Sequence, residues 1–348
     1  MMIRKKALAG IALAASAALG LAACGSNAAT TSPSGSAAAT DGITVYNAQH
    51  ESLTKEWVEE FTKETGVKVT LRQGSDTEMS NQIIQEGASS PADVFLTENS
   101  PAMTQVENAG LFADVDKATL DQVPAEFRPS TNKWTGIAAR STLLVYNKSK
   151  LTEDKLPKSM LDLAKPEWKG KWAASPTGAD YQAIVSALLE LKGEAATTEW
   201  LKGMKENFKA YKGNSTAMKA VNAGEVDAAL IYHYYYYGDQ AKTGENSNNV
   251  APYYFKNQDP GAFLSISGGG VLKSSKKAAE AQAFLKFITG KKGQEVLKTG
   301  TSFEYAIASQ VAANDKLVPV KDLQAPKVDP AKLNSKKVIE LMTAAGLL

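Results

Sequence analysis

Tyrosines concentrate in one short stretch of the chain. Five of the 12 tyrosines fall between residues 232 and 237, directly after the apolar residues 228–231. Buried phenol groups need hydrogen-bond partners, so such a run indicates a binding surface as well as it indicates an aromatic packing segment. Phenolate oxygens can bind a hard, highly charged metal ion, whereas neutral aromatic faces can hold an organic cation. At this point the residues leave both chemistries open.

A histidine and a glutamate favour the metal. The chain has two histidines, His50 and His233, and each follows an apolar run that is typical of a strand. Glu98 follows a third such run, residues 93–96. Because ligands of open α/β sheets lie beyond the carboxyl ends of strands, we expect His50 and Glu98 to share a cleft with the tyrosines. With a phenol pKa near 10, ferric ion could displace the tyrosine protons and a weak Lewis acid could not.

These side chains must be positioned by alternating strands and helices. From residue 43 onward, β-branched runs alternate with stretches in which apolar residues recur at helical spacing. The order βαβαβα predicts a parallel sheet flanked by helices and therefore an α/β fold. Ser52 is the predicted N-cap of the first helix, and Gly66 its predicted end. The three glycines at 268–270 indicate a tight turn or a backbone bend.

The first residues are typical of an export signal. A basic start and an uncharged run rich in alanine and leucine predict a signal peptide over residues 1–23. The run ends in Leu-Ala-Ala before Cys24, which resembles a bacterial lipobox and predicts lipidation of that residue. Residues 24–40 are small and polar, so they are expected to form a flexible tether. Cys24 is the only cysteine, which excludes an internal disulfide and disfavours zinc.

Charge and motifs exclude several other functions. The formal net charge is +2, so the chain lacks the electrostatic footprint of a nucleic-acid-binding protein. It contains no Gly-x-Ser-x-Gly, Walker A or His-Glu-x-x-His motif. We therefore expect a binding protein and not an enzyme. An exported hydrolase that uses the same cleft is the alternative from a different class.

Several blocks, in order, resemble the ferric-ion-binding proteins of bacterial ABC importers. The matching blocks are residues 43–50 (ITVYNAQH), 90–95 (SPADVF), 224–231 (GEVDAALI), 259–262 (DPGA) and 271–275 (VLKSS). The resemblance implies a two-lobed, periplasmic-binding-protein-like fold of type II, with a ligand cleft between lobes that are joined by crossing strands. The implied lobes are residues 41–138 plus 263–310 for lobe 1, and 139–262 plus 311–348 for lobe 2.

The same resemblance implies the groups that hold the iron. The implied ligands are His50, Glu98, Tyr234 and Tyr235. Tyr236 takes the place of one of the pair if the register of the tyrosine run shifts. Tyr181 matches a place where another branch of the family supplies a tyrosine ligand, so it is a second-rank candidate.

Members of the family commonly add a synergistic anion, carbonate or phosphate, to complete the coordination. The matching segment here is residues 175–180, just before a predicted helix, where backbone N–H groups favour an anion. The implied anion-binding residues are Arg140, Thr177, Gly178, Ala179 and Asn214.

The sequence thus predicts a substrate-binding lipoprotein that captures Fe³⁺ and delivers it to an ABC permease in the membrane. The protein is expected to be a monomer, anchored through Cys24 on the extracytoplasmic face of the cell membrane. The runner-up is a binding protein of the same fold that holds an organic cation or a polyamine in a tyrosine cage.

Overall fold

A computed structural model describes residues 42–348 of the protein. The strands are β1 (Ile43–Asn47), β2 (Val69–Gln73), β3 (Val94–Leu96), β4 (Thr135–Asn147), β5 (Trp172–Ala174), β6 (Phe208–Ala210), β7 (Ala228–Tyr232), β8 (Val250–Tyr253) and β9 (Leu264–Val271). The α-helices are α1 (Glu51–Thr65), α2 (Asp76–Glu86), α3 (Ser100–Asn108), α4 (Lys117–Leu120), α5 (Ala179–Asn207), α6 (Asn214–Ala223), α7 (His233–Lys242), α8 (Ala278–Thr289), α9 (Lys291–Thr299), α10 (Val320–Leu323) and α11 (Ser335–Ala344). The predicted signal peptide, tether and Cys24 lie outside the described residues.

The strands form one sheet whose order places the two halves of the chain side by side. The order is β2-β1-β3-β9-β4-β7-β5-β6, with β8 paired to β4. β1 runs parallel to β2 and β3, which confirms the parallel pairing predicted from the βαβαβα order. β4 is the long strand that joins the halves, because its first part pairs with β9 and its second part with β7 and β8. All 13 of its residues are buried.

Local sequence explains the first helix. Leu53, Trp57 and Phe61 recur every four residues on α1, and all three are buried. Gly66 ends the helix in the left-handed conformation, at φ 75°, as the sequence predicts. The predicted N-cap was wrong by two residues, since α1 begins at Glu51 and the capping position belongs to His50. That shift matters for function because it places the imidazole at the start of a helix.

The glycines at 268–270 lie inside a strand, so of the two predicted alternatives the tight turn was wrong; the pairing of this strand with β4 has an irregularity between Gly136 and Ala138, beside Gly268. All three belong to β9, where they are buried and pair with β3 and β4. A Cβ atom at Gly268 would lie 2.3 Å from Met103 Cγ, and one at Gly270 would lie 2.7 Å from the Phe112 ring. Glycine is therefore required here by close packing of helices and side chains against the strand.

Two predicted helices meet at a kink in the structure. The segments around residues 181–191 and 197–207 both lie within α5, which is interrupted at Gly193, where φ is 78° and ψ is 173°. Buried apolar side chains form separate clusters: one includes Trp57 and Phe284, and another includes Trp172 and Trp200. The described residues, 42–348, form one compact unit, so the predicted lobe boundaries stay a prediction. Within the described residues, none of the helices combines the length and apolarity needed to cross a bilayer.

Candidate metal centre

Strand ends bring the predicted residues to one place. Asn47 at the end of β1 lies opposite Leu96 at the end of β3, so the segments that follow these two strands leave the sheet together. His50 follows β1, and Glu98 follows β3. Tyr234 belongs to the first turn of α7, directly after β7.

The four implied iron ligands form one cluster. His50 Nε2 lies 3.0 Å from Glu98 Oε1. The His50 ring meets the Tyr234 ring edge-on, with 4.8 Å between centroids. Tyr234 and Tyr235 lie with their ring centroids 4.2 Å apart. The structure therefore brings together an imidazole, a carboxylate and two phenols.

Asp180 is a member of this cluster that sequence reasoning missed. Its Oδ2 accepts hydrogen bonds from the hydroxyls of Tyr234 and Tyr235, both at 3.1 Å, and from Asn214 Nδ2 at 2.8 Å. Its Oδ1 accepts one from Asn99 Nδ2 at 3.0 Å. The side chain is buried in the first turn of α5, where a helix favours negative charge. One sequence feature could have indicated Asp180: it lies within residues 175–180, the segment that the family resemblance assigns to binding of the synergistic anion.

Glu98 is held in place from the neighbouring helix. Ser75 caps α2 by accepting from Glu78 N, and Asp76 follows in the first turn. The Asp76 carboxylate accepts from Glu98 N at 2.9 Å and from Asn99 N at 3.0 Å. These bonds orient the segment after β3, so that the Glu98 side chain points toward His50.

Arg140 lies at the back of the cluster and is fully buried. Its NH2 contacts Glu304 Oε2 at 2.6 Å, and its NH1 lies 3.3 Å from Glu98 Oε2 and 4.0 Å from Asp180 Oδ1. The guanidinium carbon also lies 5.3 Å from the centroid of the Tyr234 ring. The guanidinium thus neutralises carboxylates of the protein itself.

Glu304 is the second residue that the sequence did not indicate. It is fully buried, and its Oε1 lies 3.0 Å from His50 Nδ1. The residue belongs to an irregular segment before a single β-bridge, Tyr305 with Ala139. No periodicity or motif marks such a residue, so only the folded chain reveals it.

Burial and neighbouring charges set the protonation of the cluster. Burial opposes a charge on His50, but hydrogen bonds with Glu304 and Glu98 outweigh it and raise the pKa of His50 to about 10. Burial also acts against the Glu304 carboxylate, but Arg140 and His50 hold its pKa at about 2. Burial and the Asp180 carboxylate raise the pKa of Tyr234 well above that of a free phenol. The tyrosines therefore stay protonated unless a strong Lewis acid displaces the proton.

Burial raises the pKa of the Asp180 carboxyl, and so does the negative charge of Glu98, although Arg140 acts in the opposite direction. Asp180 is thus a carboxylate whose charge is only partly compensated, by Arg140 and its hydrogen-bond donors, in the metal-free arrangement. A cation placed among these groups would supply that compensation.

Several other predicted residues lie around the cluster. Gly178 is the N-cap of α5, and with Ala179 and Asn214 it lines a cavity of about 270 Å³ that also touches Glu98 and Tyr235. Thr177 precedes this N-cap, and its carbonyl accepts from Gln182 at 3.5 Å. A second cavity, of about 450 Å³, reaches the cluster at His50, Tyr234 and Tyr235.

Two second-rank candidates do not join the cluster. The hydroxyl of Tyr181 contacts the sulfur of Met204, and its ring stacks on Trp200. Tyr236 packs edge-on against Tyr237, with 5.4 Å between centroids. Both rings pack among other side chains, as most tyrosines do.

Any metal site here depends on tyrosine. In the part of the chain that the structure describes, His, Cys, Asp and Glu side chains alone form no group of three that could hold a metal ion. The two phenols and the carboxylate they share complete a set of hard oxygen donors beside one nitrogen. Such a set suits a trivalent ion of high charge density better than zinc.

Known proteins resemble the chain over most of its length. A family profile described as "Bacterial extracellular solute-binding protein" matches residues 89–334. The "Fe(3+)-binding periplasmic protein" of Serratia marcescens is 70% identical over 312 residues, which cover 90% of this chain and 92% of the relative. The "Major ferric iron-binding protein" of Neisseria meningitidis serogroup A is 37% identical over 308 residues, covering 88% of this chain and 93% of that protein.

A solved structure gives the same result for the fold. Iron-bound HitA from Pseudomonas aeruginosa superposes with a TM-score of 0.83 at 40% identity, covering 88% of this chain and 99% of HitA. This likeness confirms the predicted fold class, a periplasmic-binding-protein-like α/β fold of type II.

Proposed function

Because the chain belongs to the bacterial extracellular solute-binding proteins, we propose that it captures ferric ion outside the cytoplasm and delivers it to the permease of an ABC importer. Its relatives carry names of binding proteins for ferric iron. The observation that carries the proposal for this chain is the convergence of two phenols, two carboxylates and one imidazole on one point of the cleft.

The charges of this cluster favour a trivalent ion over a divalent one. With ferric ion bound, the phenolates of Tyr234 and Tyr235 and the carboxylates of Glu98 and Asp180 carry four negative charges. Ferric ion and the buried guanidinium of Arg140 carry four positive charges, and His50 binds as a neutral ligand. The buried Glu304 carboxylate, 2.6 Å from Arg140, adds a fifth negative charge, so the set carries one net negative charge with a trivalent ion and two with a divalent ion. A trivalent ion therefore compensates these buried carboxylates better than a divalent ion does.

Asp180 has one task without the metal and a second task with it. Without metal, its Oδ2 accepts both phenol protons and so holds the two hydroxyl oxygens close together. Ferric ion displaces those protons, and Oδ2 then has a free lone pair directed at the same point. We assign Asp180 as an oxygen ligand, in the place that the sequence resemblance gives to carbonate or phosphate.

Closure of the cleft completes the site. Asn99, from the proposed lobe 1, donates to Asp180 of the proposed lobe 2. Its Oδ1 accepts from Ser265 Oγ at 2.9 Å and lies 3.4 Å from the Tyr232 hydroxyl. Iron would bind first to the tyrosines, and closure of the lobes about β4 and β9 would then bring His50 and Glu98 to it. The lobe boundaries are those implied by the sequence resemblance.

Membrane attachment belongs to the same proposal. Lipidation of Cys24 would keep the protein at the extracytoplasmic face of the membrane, since a diacylglyceryl group anchors durably where a single acyl chain does not. The polar tether up to residue 40 would let the folded part reach the permease as a monomer.

The tyrosine cage for an organic cation has less support. The face of Tyr234 is already contacted by Arg140, and its edge region by His50. Its hydroxyl is directed at Asp180. A quaternary ammonium group would have to displace a guanidinium that is held by buried carboxylates.

A visible absorption titration tests the function. The soluble chain that begins after Cys24 is titrated with ferric citrate, and a phenolate-to-iron band that saturates at one equivalent is the expected result. A folded protein that shows no such band would refute the ferric function. Matched titrations with spermidine and with choline, followed by calorimetry, test the organic-cation alternative.

A further inference from the structure

The two ring nitrogens of His50 face two different carboxylates. Nε2 lies 3.0 Å from Glu98 Oε1, at the proposed iron site. Nδ1 lies 3.0 Å from Glu304 Oε1, on the side that leads into the protein. A neutral imidazole has one N–H and one lone pair, so the partner of one nitrogen decides what the other can bind.

The Glu304 carboxylate is held on several sides. Its Oε2 contacts Arg140 NH2 at 2.6 Å and accepts from Gln49 Nε2 at 3.2 Å and from Ser267 Oγ at 3.3 Å. These partners come from the β1–α1 connection and from the strands β4 and β9. A fully buried carboxylate costs stability unless it is paired, and here the partners hold it in one orientation.

The backbone before Glu304 adopts a conformation that bulky residues rarely take. Phe303 has a φ of 57°, in the left-handed region. Immediately after Glu304, Tyr305 exchanges two backbone hydrogen bonds with Ala139, at 2.8 and 3.1 Å. Unfavourable backbone conformations of this kind cluster at functional sites. The fold thus accepts a backbone cost at the residue that precedes this inward-facing carboxylate.

We propose that Glu304 is a positioning residue for iron capture: it accepts the Nδ1 proton of His50 and thereby presents the Nε2 lone pair to the ferric ion. The inference rests on the proposed ferric function. It adds a residue that touches no iron and acts through the orientation and tautomer of His50. Carboxylates in this role are common behind metal-binding histidines, and their loss typically weakens metal binding about 10–100-fold.

The central experiment measures release of ferric ion from the loaded protein to an excess of a competing chelator. Glu304→Gln preserves the size of the side chain but removes its charge, and we expect release about 10–100-fold faster than in the wild type. The phenolate-to-iron band should persist, because both tyrosines are intact. Glu86→Gln is the matched control. Glu86 lies on α2, outside the cluster, and accepts hydrogen bonds from Tyr46 and Gln82. Its substitution should leave the rate of iron release unchanged.

A double-mutant cycle separates positioning from a merely structural role. Glu304→Gln is measured again in a His50→Ala background. If Glu304 acts through the imidazole, its substitution there changes release by no more than about twofold. An equal acceleration in both backgrounds would overturn the inference, because Glu304 would then act through Arg140 or the backbone.

A second variant keeps the test decisive if Glu304→Gln does not fold. Glu304→Asp keeps a negative charge near Arg140 but withdraws the carboxylate from His50 by one methylene. In the protein loaded with diamagnetic Ga³⁺, NMR of the His50 Nδ1 proton should show a downfield shift and slow exchange with water in the wild type, because Glu304 accepts that proton, and an upfield move with faster exchange in Glu304→Asp. An unchanged shift and an unchanged exchange rate in this variant would overturn the inference.

The outcomes also distinguish this inference from the proposed function. A wild-type protein without the phenolate-to-iron band would overturn both. A wild-type band together with faster release from His50→Ala, but wild-type release from Glu304→Gln, would overturn the role of Glu304 and leave the ferric function standing.

Discussion

Replacing Asp180 by asparagine removes one of the four negative charges around the proposed iron. The substitution keeps the shape of the side chain in the first turn of α5. It also leaves an oxygen that can accept from Tyr234 or Tyr235. The folded structure should therefore persist, while the loaded site has one negative charge fewer to attract the iron.

The size of the effect follows from the geometry. Asp180 Oδ2 lies 3.1 Å from both tyrosine oxygens, so the metal they bind would lie within about 4 Å of the carboxylate charge. One pair of unit charges at that distance contributes about 4 kcal/mol at an effective dielectric constant of about 20. The triple charge of iron raises this contribution, and hydroxide or carbonate drawn from solution offsets much of it. We expect a net loss of about 3–4 kcal/mol, or a hundred- to a thousandfold in affinity.

Competition with citrate measures this loss directly. Wild type, Asp180→Asn and Asp180→Ala are titrated with and without added carbonate or phosphate. The wild type should show little dependence on the anion, whereas Asp180→Ala leaves space that carbonate can fill and should recover part of its affinity. Glu190→Gln, a partly exposed carboxylate on the same helix, is the matched control.

Thermal unfolding of the metal-free protein gives an independent check. Because burial and Glu98 raise the pKa of Asp180, its charge does not stabilise the metal-free fold. The amide nitrogen of asparagine cannot accept the hydrogen bond that one of the carboxylate oxygens receives, which offsets the gain from removing the charge. Asp180→Asn should thus unfold near the wild-type temperature. The reasoning fails if the wild type needs an added anion to bind iron and Asp180→Ala binds with the same affinity and the same anion dependence.

Tyr234→Phe and Tyr235→Phe should each reduce the phenolate-to-iron band by about half or more, whereas Tyr237→Phe should leave it intact; the reverse pattern would show a different register. The raised pKa of His50, about 10, predicts metal-free stability that is full below about pH 6.5 and is lost as the pH rises through about 10. Thermal unfolding should show this slope in the wild type and a flatter one in His50→Gln. Gly268→Ala should lower the unfolding temperature of the protein, with a cost of about 1–3 kcal/mol, because the added Cβ meets a buried side chain; an unchanged temperature would contradict the packing argument.

Much of the fold could be predicted from local patterns. The apolar spacing of α1 and the glycine at its end predict the helix correctly, because helix formation and helix termination depend on residues that are close together in the chain. The three glycines of β9 misled the prediction for the opposite reason. Their cause is not a turn but the approach of Met103 and Phe112 from other segments, which no local pattern reports.

The site divides in the same way. His50, Glu98 and the tyrosines are visible in the sequence because each follows a strand, and strand ends meet at a predictable edge of a sheet. Tyr181 is also a tyrosine, yet its ring packs on Trp200 and not in the cluster. The packing of its helix against the rest of the protein determines which way the side chain points. Residue type thus indicates which chemistry is possible, and packing determines which of the tyrosines lie close enough to bind the metal.

By itself, the sequence determined the alternation of strands and helices, the donor types and the family likeness, since all of these are carried by short segments. Only the tertiary structure decided that Asp180 lies between Tyr234 and Tyr235 and that Glu304 lies behind His50. Those contacts join residues that are dozens to hundreds of positions apart. They depend on the order of strands in the sheet and on the pairing of β4 with β9, which brings distant parts of the chain together. That arrangement is determined by the packing of side chains throughout the molecule and not by any short segment.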